Sequence, residues 1–151
     1  MSYIANPEFY DSCFVYRTAV QSLSDKTWTS LNLNLEVFDN NSMHDTVTNN
    51  DRITVQAGRG GLYEVACLVI FAANTTGARL IRLRVNATTT LFLGSQDALQ
   101  YAGVGNTLWS PSYYYEMAAA DYFTVEGWQD IGGGALNVTG AYLWCLGPLP
   151  I

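Results

Sequence analysis

Apolar residues along the chain recur in short runs, several alternating with polar ones, between clusters of Gly, Asn and Asp. Alternation with a period of two marks an extended strand that buries one face. Helix formers never gather at helical spacing; residues 117–120 are the nearest fragment and are too short. The pattern predicts strands at 14–20, 28–37, 52–55, 62–72, 79–85, 88–93, 113–117, 122–128 and 136–146. Turns are predicted at Asn40-Asn41, 58–61 (as a hairpin), 74–77 and 132–134, where Gly supplies the positive φ that tight turns need. Residues 94–112 read as a long loop. Many short strands with turn signals between them predict an all-β antiparallel sandwich or barrel.

Two kinds of strand can be told apart. In 79–85, Arg79, Ile81, Leu83 and Val85 share one face, while Leu80, Arg82 and Arg84 share the other, so this strand has a core face and a wet face. The run 62–72 is apolar on both faces except at Glu64, and 141–146 is apolar on both faces. A sandwich buries one face of each sheet, so a strand without a polar face predicts a covered second face as well. The simplest cover for a small domain is a symmetric copy of itself. Residues expected at that contact are Tyr63, Val65, Cys67, Val69, Tyr113, Tyr115, Tyr142 and Trp144.

Composition narrows the function. At 151 residues the chain is one domain, with 49% hydrophobic and only 13% charged residues. Little polar surface is available, which again points to an apolar face against another chain. A net charge of −6, with Lys26 the only lysine, argues against nucleic acid, whose phosphates need a basic face. No apolar run reaches the roughly 20 residues of a membrane-spanning helix, so no membrane partner is expected. The first residues carry neither the basic nor the apolar region of a secretory leader, so synthesis in a cytosol is expected. Cys13, Cys67 and Cys145 are too scattered for a disulfide framework or a zinc ladder and read as buried apolar residues. The sequons at Asn40, Asn74, Asn86 and Asn137 then read as chance.

Candidate chemistry is sparse. Ser42-Met43-His44-Asp45 holds the one histidine, but neighbours in sequence point apart and cannot converge as a triad. The oxygen-rich stretch 39–51 could offer ligands to a hard cation, yet it lacks the order and central Gly of a calcium loop and reads as turn chemistry. Gly58, Gly60 and Gly61 are not followed by the Lys-Ser/Thr of a phosphate loop. No enzyme activity, cofactor or metal is expected. Trp28, Trp109, Trp128, Trp144 and Tyr113 to Tyr115 could stack on a glycan, but core or interface is the better reading.

From Asn49 onward the order of motifs resembles the globular head of complement and its tumour-necrosis-factor-like jelly-roll relatives. The residues that carry it are Arg52-Ile-Thr-Val, Gly61-Leu-Tyr-Glu-Val, Leu83-Arg-Val-Asn86, Tyr115-Glu-Met, Ala120-Asp-Tyr-Phe-Thr-Val and Thr139-Gly-Ala-Tyr-Leu-Trp144. Ala120 stands where the family has Gly, and no collagen-like stalk precedes the domain. The segments Met43-His-Asp-Thr-Val and Phe71-Ala-Ala-Asn-Thr-Thr-Gly-Ala-Arg are more similar to the version carried by tailed bacteriophages. The resemblance implies a jelly-roll sandwich of about ten strands, assembled as a homotrimer with inner sheets facing the three-fold axis. It further implies a virion structural protein, a trimer that decorates or cements a phage capsid against the major capsid protein. The alternative is a receptor- or glycan-binding tip of a tail or head fibre. Residues 26–151 would form the sandwich and 1–25 an arm with the first strand. Within the arm Tyr3, Ile4, Phe9 and Tyr10 are the expected capsid contacts, since apolar residues are poor in a free tail.

Overall fold

The alternating stretch Asp11–Arg17 buries its odd positions and turns Ser12, Phe14 and Tyr16 away from the core. This period-two burial recurs through an antiparallel sandwich, seen in a computed structural model that describes residues 10–97 and 103–151. In chain order the strands are β1 (Asp11–Arg17), β2 (Gln21–Leu23), β3 (Thr29–Ser30), β4 (Leu35–Asp39), β5 (Arg52–Thr54), β6 (Gly61–Phe71), β7 (Ala78–Val85), β8 (Thr89–Asp97), β9 (Asn106–Trp109), β10 (Tyr113–Met117), β11 (Tyr122–Gln129) and β12 (Leu136–Leu149). No helix occurs among the described residues.

Seven strands form one sheet in the order β10-β6-β12-β1-β4, with β2 on β12 beyond β1 and β9 on β6 beyond β10. Five form the other, in the order β3-β11-β7-β8, with β5 also on β11. The core lies between them. Cys13, Val15, Tyr63, Val65, Cys67, Val69 and Leu143 from the larger sheet meet Ile53, Ile81, Leu83, Phe123 and Val125 from the smaller, all with essentially no exposure. Gly127 faces inward on β11, where a Cβ would lie 2.8 Å from Leu23 Cδ1, so a larger residue there would push the Leu23 side chain aside.

Several details differ from the sequence expectation. Residues 28–37 are not one strand: β3 pairs with β11 and β4 with β1, so the chain crosses between sheets on the way. Residues 58–61 are a crossing from β5 to β6, in opposite sheets, rather than a hairpin turn. Residues 94–112 are partly strand, since β8 runs to Asp97 and β9 covers Asn106–Trp109. Residues 11–23 are not extra to the sandwich: β1 and β2 pair along β12. The β7–β8 connection spans residues 86–88: Asn86 and Ala87 are both at φ 52°, and Thr88 N–H donates to the Val85 carbonyl at 3.0 Å, so positive φ at both central positions closes the turn as in type I′.

The two ends of the sandwich are distinct. Tyr10 and the C-terminal Ile151 share one end with the 40–51 loop: Asn40 Nδ2 donates to the Tyr10 carbonyl at 2.9 Å, and Asp11 pairs in register with Gly147. At this end Arg59 grips the buried Asp11 carboxylate, with Nη2 to Oδ1 at 3.0 Å. At the other end buried Arg79 donates to the carbonyls of Asn74 and Gly77, each at 2.9 Å, and also to that of Thr76. Buried Gln129 holds the carbonyls of Leu23 and Gly134 and accepts from Ile131 N–H.

Candidate functional site

Register decides which side chains each sheet sends outward. In the larger sheet Phe14 pairs with Trp144 and Phe38, Tyr16 with Tyr142, Trp144 with Ala66 and Tyr142 with Leu68. Leu68 in turn pairs with Trp109, and Glu64 with both Leu146 and Tyr114. Directly paired residues share a face, so all of these project from the outer face of the sheet.

That face is aromatic. Phe14 is the hub: its ring centroid lies 6.1 Å from Phe38 and 6.0 Å from Trp144, both edge-on, and 6.2 Å from Tyr142. Tyr16 and Tyr142 stack at 5.9 Å. Around these rings, Phe38 (49%), Trp109 (67%), Tyr114 (59%) and Leu146 (37%) remain exposed. A depression of about 440 Å³ opens among Ser12, Phe14, Phe38, Glu64, Trp144 and Leu146. Glu64 and Glu116 are the ionisable carboxylates of the face, and its described strand positions hold no basic residue.

The smaller sheet is the opposite case. Several of its outward residues are polar or aromatic and pair with one another. Glu126 pairs with Arg82 and Arg84, the Arg82 guanidinium lies 4.2 Å over the Trp28 ring, and Arg52 lies 4.2 Å over Tyr122. Arg82 and Arg84 lie on the face that the sequence pattern marked as wet.

The residues expected at a subunit contact divide between the faces. Tyr63, Val65, Cys67 and Val69 point inward and are fully covered by their own chain. Tyr113 and Tyr115 pair with Val65 and Tyr63, share that inner face and pack against the core. A side chain already buried in its own protomer has no surface to give to another, so Tyr63, Val65, Cys67 and Val69 are core residues, while Tyr113 and Tyr115 are half-buried at the edge of the core. Tyr142 and Trp144 do project outward. The outward partners that sequence reasoning passed over are Phe14, Phe38, Leu68 and Leu146, while Trp109 and Tyr114, read there as core or interface, also project outward. Tyr3, Ile4 and Phe9 lie outside the described residues, and Tyr10 is partly exposed at the terminal end of the sandwich.

The other candidates resolve into structure. The ring nitrogens of His44 lie 3.0 Å from Glu36 Oε1 and 3.3 Å from the Asn50 carbonyl. In the 39–51 stretch, Asp39 accepts from Asn41 and His44 N–H, and Asp45 accepts from Val47 and Thr48 N–H. The latter two bonds hold the Asp45 carboxyl below its ordinary pKa. No cluster of three ligating His, Cys, Asp or Glu side chains occurs among the described residues. All three cysteines are free and buried, and burial pushes the Cys67 thiol up to about 11.

No family model and no curated protein matches the chain by sequence. Solved structures do match its fold. The globular domain of zebrafish complement 1qA protein superposes with a TM-score of 0.66 at 13% identity, over 93% of this chain and 98% of that one. Murine APRIL gives 0.61 at 16% identity, over 91% and 98%. The PRD1 vertex protein P5 gives 0.57 at 17% identity, over 90% and 94%. The chain therefore has the jelly-roll fold shared by these proteins, with twelve described strands where about ten were expected.

Proposed function

We propose that the chain assembles as a homotrimer through the outer face of its seven-stranded sheet and serves as a virion structural protein, decorating or cementing a bacteriophage head. The observation that carries the assembly is the Phe14 ring cluster with its apolar surround, which has no basic residue among the described strand positions of the face. Two separate features favour a closed ring over a face-to-face pair. The depression beside Phe14 and Trp144 is concave, while Trp109 and Tyr114 stand out on the edge strands β9 and β10. A contact between unlike patches repeats head to tail and closes as a ring. Covering such a face buries on the order of 1,000 Å² per subunit, the scale of a stable interface. The tumour-necrosis-factor-like and complement-like neighbours support three-fold closure, and the vertex protein supports a virion setting. The major capsid protein is then the partner, and the terminal end near Tyr10 is the side that meets it, with Tyr3, Ile4 and Phe9 as anchors. The fibre-tip alternative would display the opposite end, where Arg79 and Gln129 hold the loops rigid.

The test is attachment. The full chain should sediment as a trimer and coat undecorated heads at hundreds of copies. A chain lacking residues 1–9 should still trimerise yet fail to coat. The deletion must stop there, because Asp11 and Ser12 belong to β1. Undiminished coating by the truncated trimer would remove the arm from the proposal, and a few copies per virion would favour the fibre tip.

A further inference from the structure

The basic side chains of this acidic protein are unevenly placed. Arg17 and Arg79 are buried against loop carbonyls, and Arg59 grips Asp11. Arg52, Arg82 and Arg84 all lie on the outer face of the five-stranded sheet, where their paired carboxylates are Asp51 and Glu126. Three guanidinium groups share two paired carboxylates, so this part of the sheet is more basic than the chain as a whole, whose net charge is −6.

Within the patch, hydrogen-bonding capacity is left over. Thr124 pairs in register with Arg52 on one side and Arg84 on the other. Its hydroxyl is wholly covered and has no partner among the described residues, and the same holds for Arg84 Nε. An unpaired buried donor or acceptor is costly to maintain. Here Thr124 lies between Arg52 and Arg84 in register, and the second unpaired group belongs to the Arg84 guanidinium itself. Beside Arg52 the face continues into a cleft of about 410 Å³, lined also by Thr48, Asn49, Thr54 and Gln56. Those neutral hydroxyl and amide groups suit the hydroxyls of a sugar ring. Asp45 borders the same cleft and would repel an anion there, so a ligand carboxylate is directed to the arginine side.

We propose that this face binds an acidic sugar, with its carboxylate between Arg52 and Arg84 over the Thr124 hydroxyl and its ring hydroxyls in the adjoining cleft. Arg52 is the movable member, since its guanidinium rests on the Tyr122 ring and is more exposed than that of Arg84. The arginine pair is on the sheet opposite the assembly face, so the site stands or falls separately from the trimer, while its cleft, walled by the 40–51 loop, borders the terminal end proposed for capsid attachment.

The experiment is a nitrogen-15 amide NMR titration of the whole chain with D-glucuronate, D-glucose and acetate. Glucuronate should shift the amides of Arg52, Thr54 and Thr124 saturably, with a dissociation constant on the order of 1 mM, and glucose and acetate should bind at least about tenfold more weakly. Arg52→Gln and Thr124→Val should each weaken glucuronate about tenfold. Thr124→Val should melt no lower than the native chain, which separates lost binding from lost folding. Three results would overturn the assignment: no saturable glucuronate binding, acetate binding as tightly as glucuronate (the behaviour of a site for acidic protein side chains), or Thr124→Val binding glucuronate unchanged.

Discussion

Leu143 and Trp144 are neighbours on β12, and changing each should damage a different level of structure. Leu143 points into the sandwich with no exposure. Truncation to Ala leaves a cavity, at a cost of about 2–5 kcal/mol to the fold of each protomer. Trp144 points outward against Phe14 at 6.0 Å. An indole buries about 150–250 Å² when fully covered, and Phe14 already covers part of it. Trp144 is already half-buried in its own chain, so assembly can cover at most about 90 Å² more, and each copy contributes up to about 2 kcal/mol at ~25 cal/mol per Å². Three copies give up to roughly 6 kcal/mol per trimer, a factor of about 10⁴ in its dissociation constant. Trp144→Glu removes that and adds a carboxylate whose burial opposes association further. Sedimentation and urea unfolding at several protomer concentrations separate the two cases. Trp144→Glu should be a folded monomer at micromolar concentration, with a midpoint independent of concentration. Leu143→Ala should remain a trimer with a lowered midpoint. A Trp144→Glu chain that sediments as a native trimer would refute the assignment of the outer face.

Two further outcomes follow from buried groups. Burial raises the pKa of all three thiols and of the Tyr63 hydroxyl. The unfolded chain releases thiol protons near pH 9 while the native chain keeps them, so the unfolded state binds fewer protons and stability falls as pH rises above that point. Each thiol contributes up to about 1.4 kcal/mol per pH unit until its own folded pKa is reached; for Cys67 that lies at about 11. Urea midpoints between pH 8 and 11 check this, and a flat profile, or rapid native-state labelling of Cys67 or Cys145, would contradict it. Arg79→Met removes the donor to the Asn74, Thr76 and Gly77 carbonyls. It should lower stability by about 2–4 kcal/mol and speed amide exchange at 74–78, with little change at Asp11–Arg17; equal acceleration at both ends would show that the effect is not local.

The sandwich was legible because burial imposes a period of two, and β6, β7, β11 and β12, which stood out, are strands with long apolar or alternating runs. The crossing at 31–35 was not. Leu31, Leu33 and Leu35 alternate with polar residues without interruption, yet Leu31 bonds to Val125 of the smaller sheet, while Leu35 pairs with Tyr16 of the larger. Hydrophobic period reports that a face is buried, not which sheet buries it. β8 was underestimated at its far end because Gly94-Ser95-Gln96-Asp97 has the composition of a turn, although Ser95 and Gln96 pair with Leu80 and Arg79 on β7.

The choice of face within the two-sided strands had a signal in the sequence, and it lies in the isolated acids. A strand that is apolar on both faces gives no parity by hydrophobicity alone, but a single carboxylate must avoid the dry interior. Glu64 therefore marks the even positions of 62–72 as outward, so Leu68 and Ile70 belong to the outer face and Tyr63, Val65, Cys67 and Val69 to the core. Glu116 marks Tyr114 as outward in the same way and sends Tyr113 and Tyr115 inside, as their register with Val65 and Tyr63 requires. In 141–146 no charge breaks the tie, but the side chains differ in kind. Tyr142 and Trp144 carry polar atoms on large rings that suit an interface, whereas Leu143 and Cys145 are compact and suit a core. Read this way, the lone acid on an otherwise apolar strand fixes which residues face outward, and Phe14, Tyr16 and Trp109 follow from it once the strand pairing is known.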